Sequence, residues 1–142
     1  MGVSKYAPVA PLFQTDAYKL GHIDQYRLSG DVGRVYSNYT NRKSRIPGVD
    51  HVVHFGLQAY IQKHLTEAFE PFFRSDPFVV AKLYKERLTQ ILGPDAAASI
   101  GTKHVVNLWG MGYLPLRFSA VPEGTRVPIG VPSFTVENTH PD

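Results

Sequence analysis

A short segment near the N-terminus combines groups that could bind a planar ring and an amide. Thr15-Asp16-Ala17-Tyr18-Lys19 stands at the start of a predicted helix, where free backbone N–H groups, a carboxylate and an aromatic ring occur together. Tyr18 could stack on a planar ring, and Asp16 could accept a hydrogen bond from an amide. His22 follows Tyr18 by four residues, which predicts that both lie on one helical face. The alternative is structural, with Tyr18 packed in the core and Asp16 acting as a capping charge.

A second segment concentrates positive charge. The stretch between residues 31 and 50 contains no carboxylate and four basic residues: Arg34, Arg42, Lys43 and Arg45. The whole chain has 15 Lys+Arg and 12 Asp+Glu, so the remainder is close to neutral. One local patch fits one or two phosphates better than nucleic acid, which usually needs many phosphate contacts. Arg42, at the end of a predicted strand, is the candidate for bidentate phosphate binding, and a solvated basic loop is the alternative.

Other chemistries find little support in the residue types. The sequence has no cysteine, which excludes disulfides, thiolate metal sites and thiol nucleophiles. His51 and His54 should point to opposite faces of a strand, so they do not predict a metal site. Gly110-Met111-Gly112 lacks the rest of a phosphate-binding loop, and no nucleophile elbow is present. We therefore predict no catalytic residue and no metal ligand in this chain.

The composition indicates a folded protein away from membranes. Hydrophobic residues make up 43% of the 142-residue chain and charged residues 19%, which is ordinary globular composition. No apolar run approaches the roughly 20 residues needed to cross a bilayer, and prolines interrupt any signal-peptide core. We expect a cytoplasmic protein without membrane or nucleic-acid partners.

The elements that must position these segments predict an α+β fold. The expectation is about four short strands with three or four helices on one face. Helical periodicity is predicted over residues 15–26, 56–69, 77–92 and 103–109, and strand patterns over 32–41, 51–55, 116–120 and 133–137. The last two strands are expected to pair as antiparallel neighbours.

The third of these helices has the clearest signals. Asp76 is a good N-cap, Pro77 fits the first helical position, and Gly93-Pro94 should end the helix. Its predicted apolar stripe comprises Val80, Leu83, Tyr84, Leu88 and Ile91.

Three turns are predicted from proline and glycine spacing. Ile46-Pro47-Gly48-Val49 has the pattern of a type II turn. Pro122-Glu123-Gly124 and Pro128-Ile129-Gly130 match type I turns, with proline second and glycine fourth.

Several motifs together resemble the N-terminal region of nicotinamide phosphoribosyltransferases. The first is Thr15-Asp16-Ala17-Tyr18-Lys19, followed by His22 and Gln25-Tyr26; the others, in order, are Val35-Tyr36-Ser37 leading to Arg42, His54-Phe55-Gly56-Leu57-Gln58, Leu114-Pro115, Ala120-Val121-Pro122-Glu123-Gly124 and Phe134-Thr135-Val136-Glu137-Asn138-Thr139. The similarity spans residues 12–142, which we take as the domain, and leaves residues 1–11 as an N-terminal tail.

The resemblance implies a specific reaction and architecture. Members of this family are type II phosphoribosyltransferases with a sandwich-like α/β domain and an irregular α/β barrel. They form nicotinamide mononucleotide and pyrophosphate from nicotinamide and phosphoribosyl pyrophosphate in NAD salvage. Mg²⁺ helps the pyrophosphate to leave, and ATP hydrolysis through a barrel histidine improves the energetics. The family works as head-to-tail dimers with active sites at the subunit interface.

Carried onto this sequence, the resemblance assigns substrate-binding roles to three residues. Tyr18 would stack on nicotinamide from the neighbouring subunit, Asp16 would lie near the carboxamide, and Arg42 would bind phosphate. Family enzymes are several times longer, and their barrel follows the region matched here. The chain alone is therefore expected to be inactive, with Mg²⁺ and ATP bound mainly by the barrel.

Two roles remain open for such a chain. It could be the N-terminal part of the enzyme, as a fragment or a split subunit that needs a barrel-containing chain or a homodimer partner. It could instead be a free-standing interaction module that binds or regulates a full-length homologue. A small nucleic-acid binder, based only on the basic patch, is the least supported interpretation.

Overall fold

The structure is a computed structural model that describes residues 4–28 and 33–140. It contains both helices and short antiparallel strands, which confirms the α+β class. The chain divides into two compact units that alternate along the sequence. The first comprises residues up to 32 together with 62–114, and the second comprises 33–61 with 115–141.

The first unit is helical. Two 3₁₀ helices, Ala7–Phe13 and Ala17–Gly21, lead into α1. The α-helices of this unit are α1 (His22–Leu28), α3 (Ala68–Arg74), α4 (Pro77–Leu92), α5 (Pro94–Ile100) and α6 (Lys103–Met111). A short helix α2 (Leu57–Tyr60), which belongs to the second unit, and a π-helical stretch (Ile61–Glu67) precede α3. The helix predicted to end at residue 69 therefore continues to Arg74 despite Pro71.

Helix α4 forms as its capping residues predict. The Asp76 carboxylate accepts hydrogen bonds from the backbone N–H groups of Phe78 (2.8 Å) and Val79 (3.2 Å), and Pro77 occupies the first turn. Val80, Tyr84 and Leu88 are buried on the predicted stripe, and Leu83 packs against them. Ile91, placed on the same stripe, is 38% exposed. Periodicity predicts the direction of a side chain, but it does not show whether a neighbour covers it.

A single hydrophobic cluster forms the core of the first unit. Its buried members are Val9, Phe72, Val80, Tyr84, Leu88, Ala97, Ile100 and Val105. Val9 is completely buried in the 3₁₀ helix Ala7–Phe13, so the segment predicted as a tail over residues 1–11 contributes to the core. Ala97 and Ile100 come from α5, which the sequence analysis missed because Gly93-Pro94 looked like a stop. Pro94 also starts the next helix, a position that proline suits.

The second unit contains the strands. The strands are β1 (Tyr36–Thr40), β2 (His51–Val53), β3 (Leu116–Ala120), β4 (Arg126–Pro128) and β5 (Pro132–Asn138). One antiparallel sheet has the order β1-β5-β3, and the second pairs β2 with β4. The predicted pairing of the last two long strands is confirmed, with Phe118 opposite Val136. Strand β4, which lies between the two Pro-x-Gly turns, was not predicted.

These two turns are type II, so the type I prediction is wrong. Pro122 O accepts from Thr125 N (3.1 Å), and Pro128 O accepts from Val131 N (3.1 Å), so proline is the first residue of each turn. Gly124 and Gly130 are then third, with φ of +87° and +90°, a conformation that glycine adopts without strain. The type II turn predicted at residues 46–49 is confirmed by its closing hydrogen bond and a positive φ at Gly48.

Candidate functional site

The segment that carries the predicted ring- and amide-binding groups forms a tight turn. Asp16 is extended (φ −64°, ψ 138°) and directly precedes the 3₁₀ helix Ala17–Gly21. Asp16 occupies the N-cap position of this helix, as the capping alternative expects, but its side chain makes no hydrogen bond to a backbone N–H group. Its Oδ2 atom instead accepts from Lys19 Nζ at 2.8 Å, and its backbone carbonyl accepts from Lys19 N at 2.9 Å. The carboxylate is therefore held at the surface.

Tyr18 is exposed rather than packed in the core. Its exposed fraction is 67%, so the core-packing alternative is wrong for this chain. The Tyr18 ring lies 5.7 Å from the His22 ring, centroid to centroid, which confirms that the two share one face. His22 in turn contacts Tyr26 at 6.1 Å in an edge-to-face arrangement. An aromatic ring thus stands beside a carboxylate, both accessible to a ligand.

The basic patch is divided between two environments within the second unit. Arg34 forms an ion pair with Glu137. Arg42, Lys43 and Arg45 follow the end of β1 and are exposed. Over the part of the chain that the structure describes, none of these three forms a salt bridge. Their charge is therefore available to an anion, as the phosphate prediction for Arg42 requires.

The structure brings together two of the three predicted site residues. Asp16 and Tyr18 lie two positions apart on one turn of the first unit. Arg42 belongs to the second unit. This pair is thus a local feature of the fold.

An ionic cluster beside β5 was missed because the sequence analysis counted Arg34 with the basic patch. Glu137 accepts from both Arg34 and Arg117, and the cross-strand register of β3 and β5 places Arg117 directly opposite it. The Arg34 hydrogen bond is the main cause that lowers the pKa of Glu137 below its ordinary value. These residues line a cavity of about 290 Å³ with Asn138 and His140.

A second cavity, of about 390 Å³, lies in the first unit beside the Tyr18 turn. Lys19, His22 and Tyr26 form one wall, and Tyr84 and His104 lie among the others. Tyr84, predicted only as an apolar stripe residue, also forms a hydrogen bond between its hydroxyl and His104 Nε2 at 3.2 Å. Burial raises the pKa of the Tyr84 phenol, which keeps this group neutral over a wide pH range.

The described residues contain neither a metal-binding cluster nor a membrane-spanning helix. Among residues 4–28 and 33–140, no three His, Cys, Asp or Glu side chains are grouped closely enough to hold a metal ion. His51 pairs with Asp50 at 2.7 Å, while His54 is buried 6.2 Å from the Phe134 ring. No helix in the described ranges has the length and apolar character of a membrane span.

Comparison with known proteins supports the resemblance drawn from the motifs. No family model matches the chain. A curated nicotinamide phosphoribosyltransferase from Acinetobacter baylyi is 40% identical over 137 residues, which cover 92% of this chain. The chain spans only 26% of that relative's length. The similarity to nicotinamide phosphoribosyltransferases that the motifs indicate is therefore confirmed. It is confined to one region of the relative, which is much longer than this chain.

Proposed function

We propose that this chain is the N-terminal part of a nicotinamide phosphoribosyltransferase. In this role it helps to form nicotinamide mononucleotide and pyrophosphate from nicotinamide and phosphoribosyl pyrophosphate, in the cytoplasm. Residues 12–142 would form the sandwich-like α/β domain of the type II class. The observation that carries the proposal is the 40% identity over nearly the whole chain, which includes the exposed Tyr18 turn.

The geometry of the Tyr18 turn suits nicotinamide. A planar heteroaromatic ring can stack on the exposed Tyr18 ring, and an amide N–H can donate to Asp16. Lys19 occupies Oδ2 of Asp16, so the lone pairs of Oδ1 can accept this donor. The same turn therefore offers a hydrophobic surface and an amide acceptor to one small ligand.

The exposed basic segment suits the phosphorylated substrate. Arg42 can form bidentate hydrogen bonds to phosphate oxygens, with Lys43 and Arg45 adding positive charge. Transfer of a ribosyl group passes through an oxocarbenium-like centre, and a protein favours it chiefly by orienting the substrates and stabilising the departing charge. Binding and orientation by Asp16, Tyr18 and Arg42 are thus the contributions of this chain, with no nucleophile among them.

The resemblance also implies Mg²⁺ and ATP. Among residues 4–28 and 33–140, no three acidic or histidine side chains are grouped closely enough to hold a metal ion. We assign both groups mainly to a barrel-containing partner chain.

Complementation tests this proposal. The chain is mixed with a barrel-containing polypeptide that begins after the region homologous to it, and nicotinamide mononucleotide is measured with both substrates, Mg²⁺ and ATP. We expect no product from either polypeptide alone and measurable product from the mixture. A mixture that neither associates nor forms product would contradict the proposal, and activity of the isolated chain would contradict the assignment of the remaining groups to a partner.

Exposed apolar side chains favour a second candidate, an interaction module that regulates a full-length homologue. Phe55 is 81% exposed, and Tyr36 and Val53 of the same unit are also exposed. Scattered exposed apolar residues are normal, whereas a contiguous apolar patch is typical of a surface that binds another protein, and the role of interaction module requires these residues to form such a patch. A regulator should bind the full-length enzyme and lower its activity, whereas a split subunit should restore the activity of the barrel polypeptide.

A further inference from the structure

Lys19 contacts both side chains that we propose bind nicotinamide. Its ammonium nitrogen lies 2.8 Å from Asp16 Oδ2 and 5.6 Å from the centroid of the Tyr18 ring. Its backbone N–H donates to Asp16 O at 2.9 Å. Asp16 is the N-cap residue of the 3₁₀ helix and Lys19 lies in its first turn, so the start of the helix brings the two side chains together.

We infer that Lys19 is a positioning residue of the nicotinamide subsite, an inference that rests on the proposed function. Its ammonium holds the Asp16 carboxylate through Oδ2 and contacts the Tyr18 ring, so it sets the position of the acceptor relative to the stacking surface. The pair with Asp16 is the main cause that raises the pKa of Lys19, so the ammonium stays charged at neutral pH.

Preorganisation is the physical reason for such a role. Asp16, Tyr18 and Lys19 are all exposed, and exposed side chains exchange among several rotamers. If the ligand must immobilise them, that loss of entropy reduces its affinity, whereas an ion pair already in place removes part of the cost. The His22 ring also contacts the Tyr18 ring, with 5.7 Å between their centroids. This contact stays in place when Lys19 is replaced.

The Lys19–Asp16 ion pair is exposed, so a role in positioning the ligand can be distinguished from a role in stabilising the fold. The side chains of Lys19 and Asp16 are 44% and 62% exposed, and ion pairs this accessible contribute little to folding stability. Loss of the Lys19 charge should therefore change the geometry of the turn and the binding of the ligand, but not the thermal stability of the chain.

The matched control is Lys5, which has the same kind of neighbours elsewhere. Its Nζ lies 3.4 Å from Glu86 and 4.7 Å from the Tyr6 ring centroid. Lys19→Met and Lys5→Met remove equivalent charges and keep the aliphatic stems. Lys19→Arg keeps the charge and should rescue the effects of Lys19→Met.

The first experiment uses the chain alone, which carries the whole turn. NMR coupling constants and nuclear Overhauser effects report the χ1 rotamers of Asp16 and Tyr18. We expect Lys19→Met to broaden both rotamer distributions without changing the melting temperature, and Lys5→Met and Lys19→Arg to leave them as in the wild type. Unchanged rotamers in Lys19→Met would overturn the inference.

The second experiment uses the complemented enzyme. We expect Lys19→Met to raise KM for nicotinamide about three- to tenfold with little change in kcat or in KM for phosphoribosyl pyrophosphate. An active mixture in which Lys19→Met behaves as wild type would overturn the inference and leave the proposed function standing. An inactive wild-type mixture would instead contradict the proposed function, and the rotamer measurement then decides the inference by itself.

Discussion

The Tyr18 ring is exposed at the surface. It therefore contributes little to folding stability, but a ligand that stacks on it would bury it and gain binding free energy. Replacing it with alanine in the complemented enzyme should weaken nicotinamide binding by about 0.5–1.5 kcal/mol, the usual strength of an aromatic pair. The fold should persist, since surface substitutions usually change stability by less than about 0.5 kcal/mol. KM for nicotinamide and the melting temperature are the measurements.

The control for this substitution is Tyr113→Ala, because Tyr113 is also exposed and lies in the same unit. It should change neither quantity. If Tyr18→Ala lost its fold, the exposed position of the ring in this structure would be wrong.

Arg42 is the residue on which the phosphate prediction depends. Hydrogen bonds to charged groups are worth about 1.5–3 kcal/mol, so Arg42→Ala should raise KM for phosphoribosyl pyrophosphate roughly ten- to a hundredfold. Arg42→Lys tests geometry, because lysine keeps the charge and loses the bidentate fork. Arg45→Ala is the neighbouring control. Equal effects at residues 42 and 45 would indicate attraction by a diffuse patch instead of a specific contact.

Two aspartates precede helices in this chain, Asp76 before α4 and Asp16 before the 3₁₀ helix Ala17–Gly21, and their capping hydrogen bonds differ. The Asp76 carboxylate accepts two backbone hydrogen bonds, whereas the Asp16 carboxylate accepts none from a backbone N–H group. Asp76→Ala should therefore lower the free energy of unfolding by about 0.5–2 kcal/mol, as measured in urea. Asp16→Ala should leave stability nearly unchanged and weaken nicotinamide binding. A large loss of stability in Asp16→Ala would contradict its assignment as a ligand-binding group.

Strand β5 carries a carboxylate whose ionisation is coupled to folding. Arg34, the main cause, and Arg117 lower the pKa of Glu137 below its ordinary value of 4.5. Since the folded-state pKa is the lower one, the contribution of Glu137 is fully present above 4.5 and is lost as the pH falls through the folded-state pKa. Urea unfolding of Glu137→Gln should therefore differ most from wild type at neutral pH and converge with it in acid. A difference that grew in acid would contradict this ion pairing.

Elements with local signals were the ones that the sequence predicted well. The cap and proline of α4, and the alternation of β3 and β5, are encoded within a few residues, and each element appears close to its predicted bounds. β4 and α5 were missed for the same reason. Each lies against proline and glycine residues that also end elements, so their existence depends on pairing and packing with distant segments.

The site shows the same division. The shared face of Tyr18 and His22 follows from helical spacing, and it was predicted correctly. The Lys19–Asp16 pair depends on a 3₁₀ turn that the pattern does not distinguish from an α-helix. Glu137 acquires its partner Arg34 from 103 positions away, a contact that only the β1–β5 pairing explains.

At the scale of the whole molecule, the two units differ in how they bury apolar groups. A single domain was predicted over residues 12–142, but residues 33–61 pair with 115–141 across the intervening helical segment. Local periodicity carries no information about such long-range pairing. The hydrophobic cluster lies in the first unit, whereas Val127 is the buried apolar side chain among the described residues of the second.

This asymmetry predicts unequal protection of backbone amides in hydrogen exchange. Local opening requires less free energy where fewer apolar contacts are broken, so amides of α4 between Val80 and Leu88 should exchange slowest in the isolated chain. Amides of β1 should exchange at least about tenfold faster, because β1 lies at a sheet edge and exposes Tyr36 and Tyr39. Mass spectrometry of deuterium uptake measures both. Addition of the barrel-containing polypeptide should slow β1 far more than α4, since the exposed aromatic residues are the ones left for a partner to cover. Uniform exchange in the two units would instead indicate that they open as one cooperative structure.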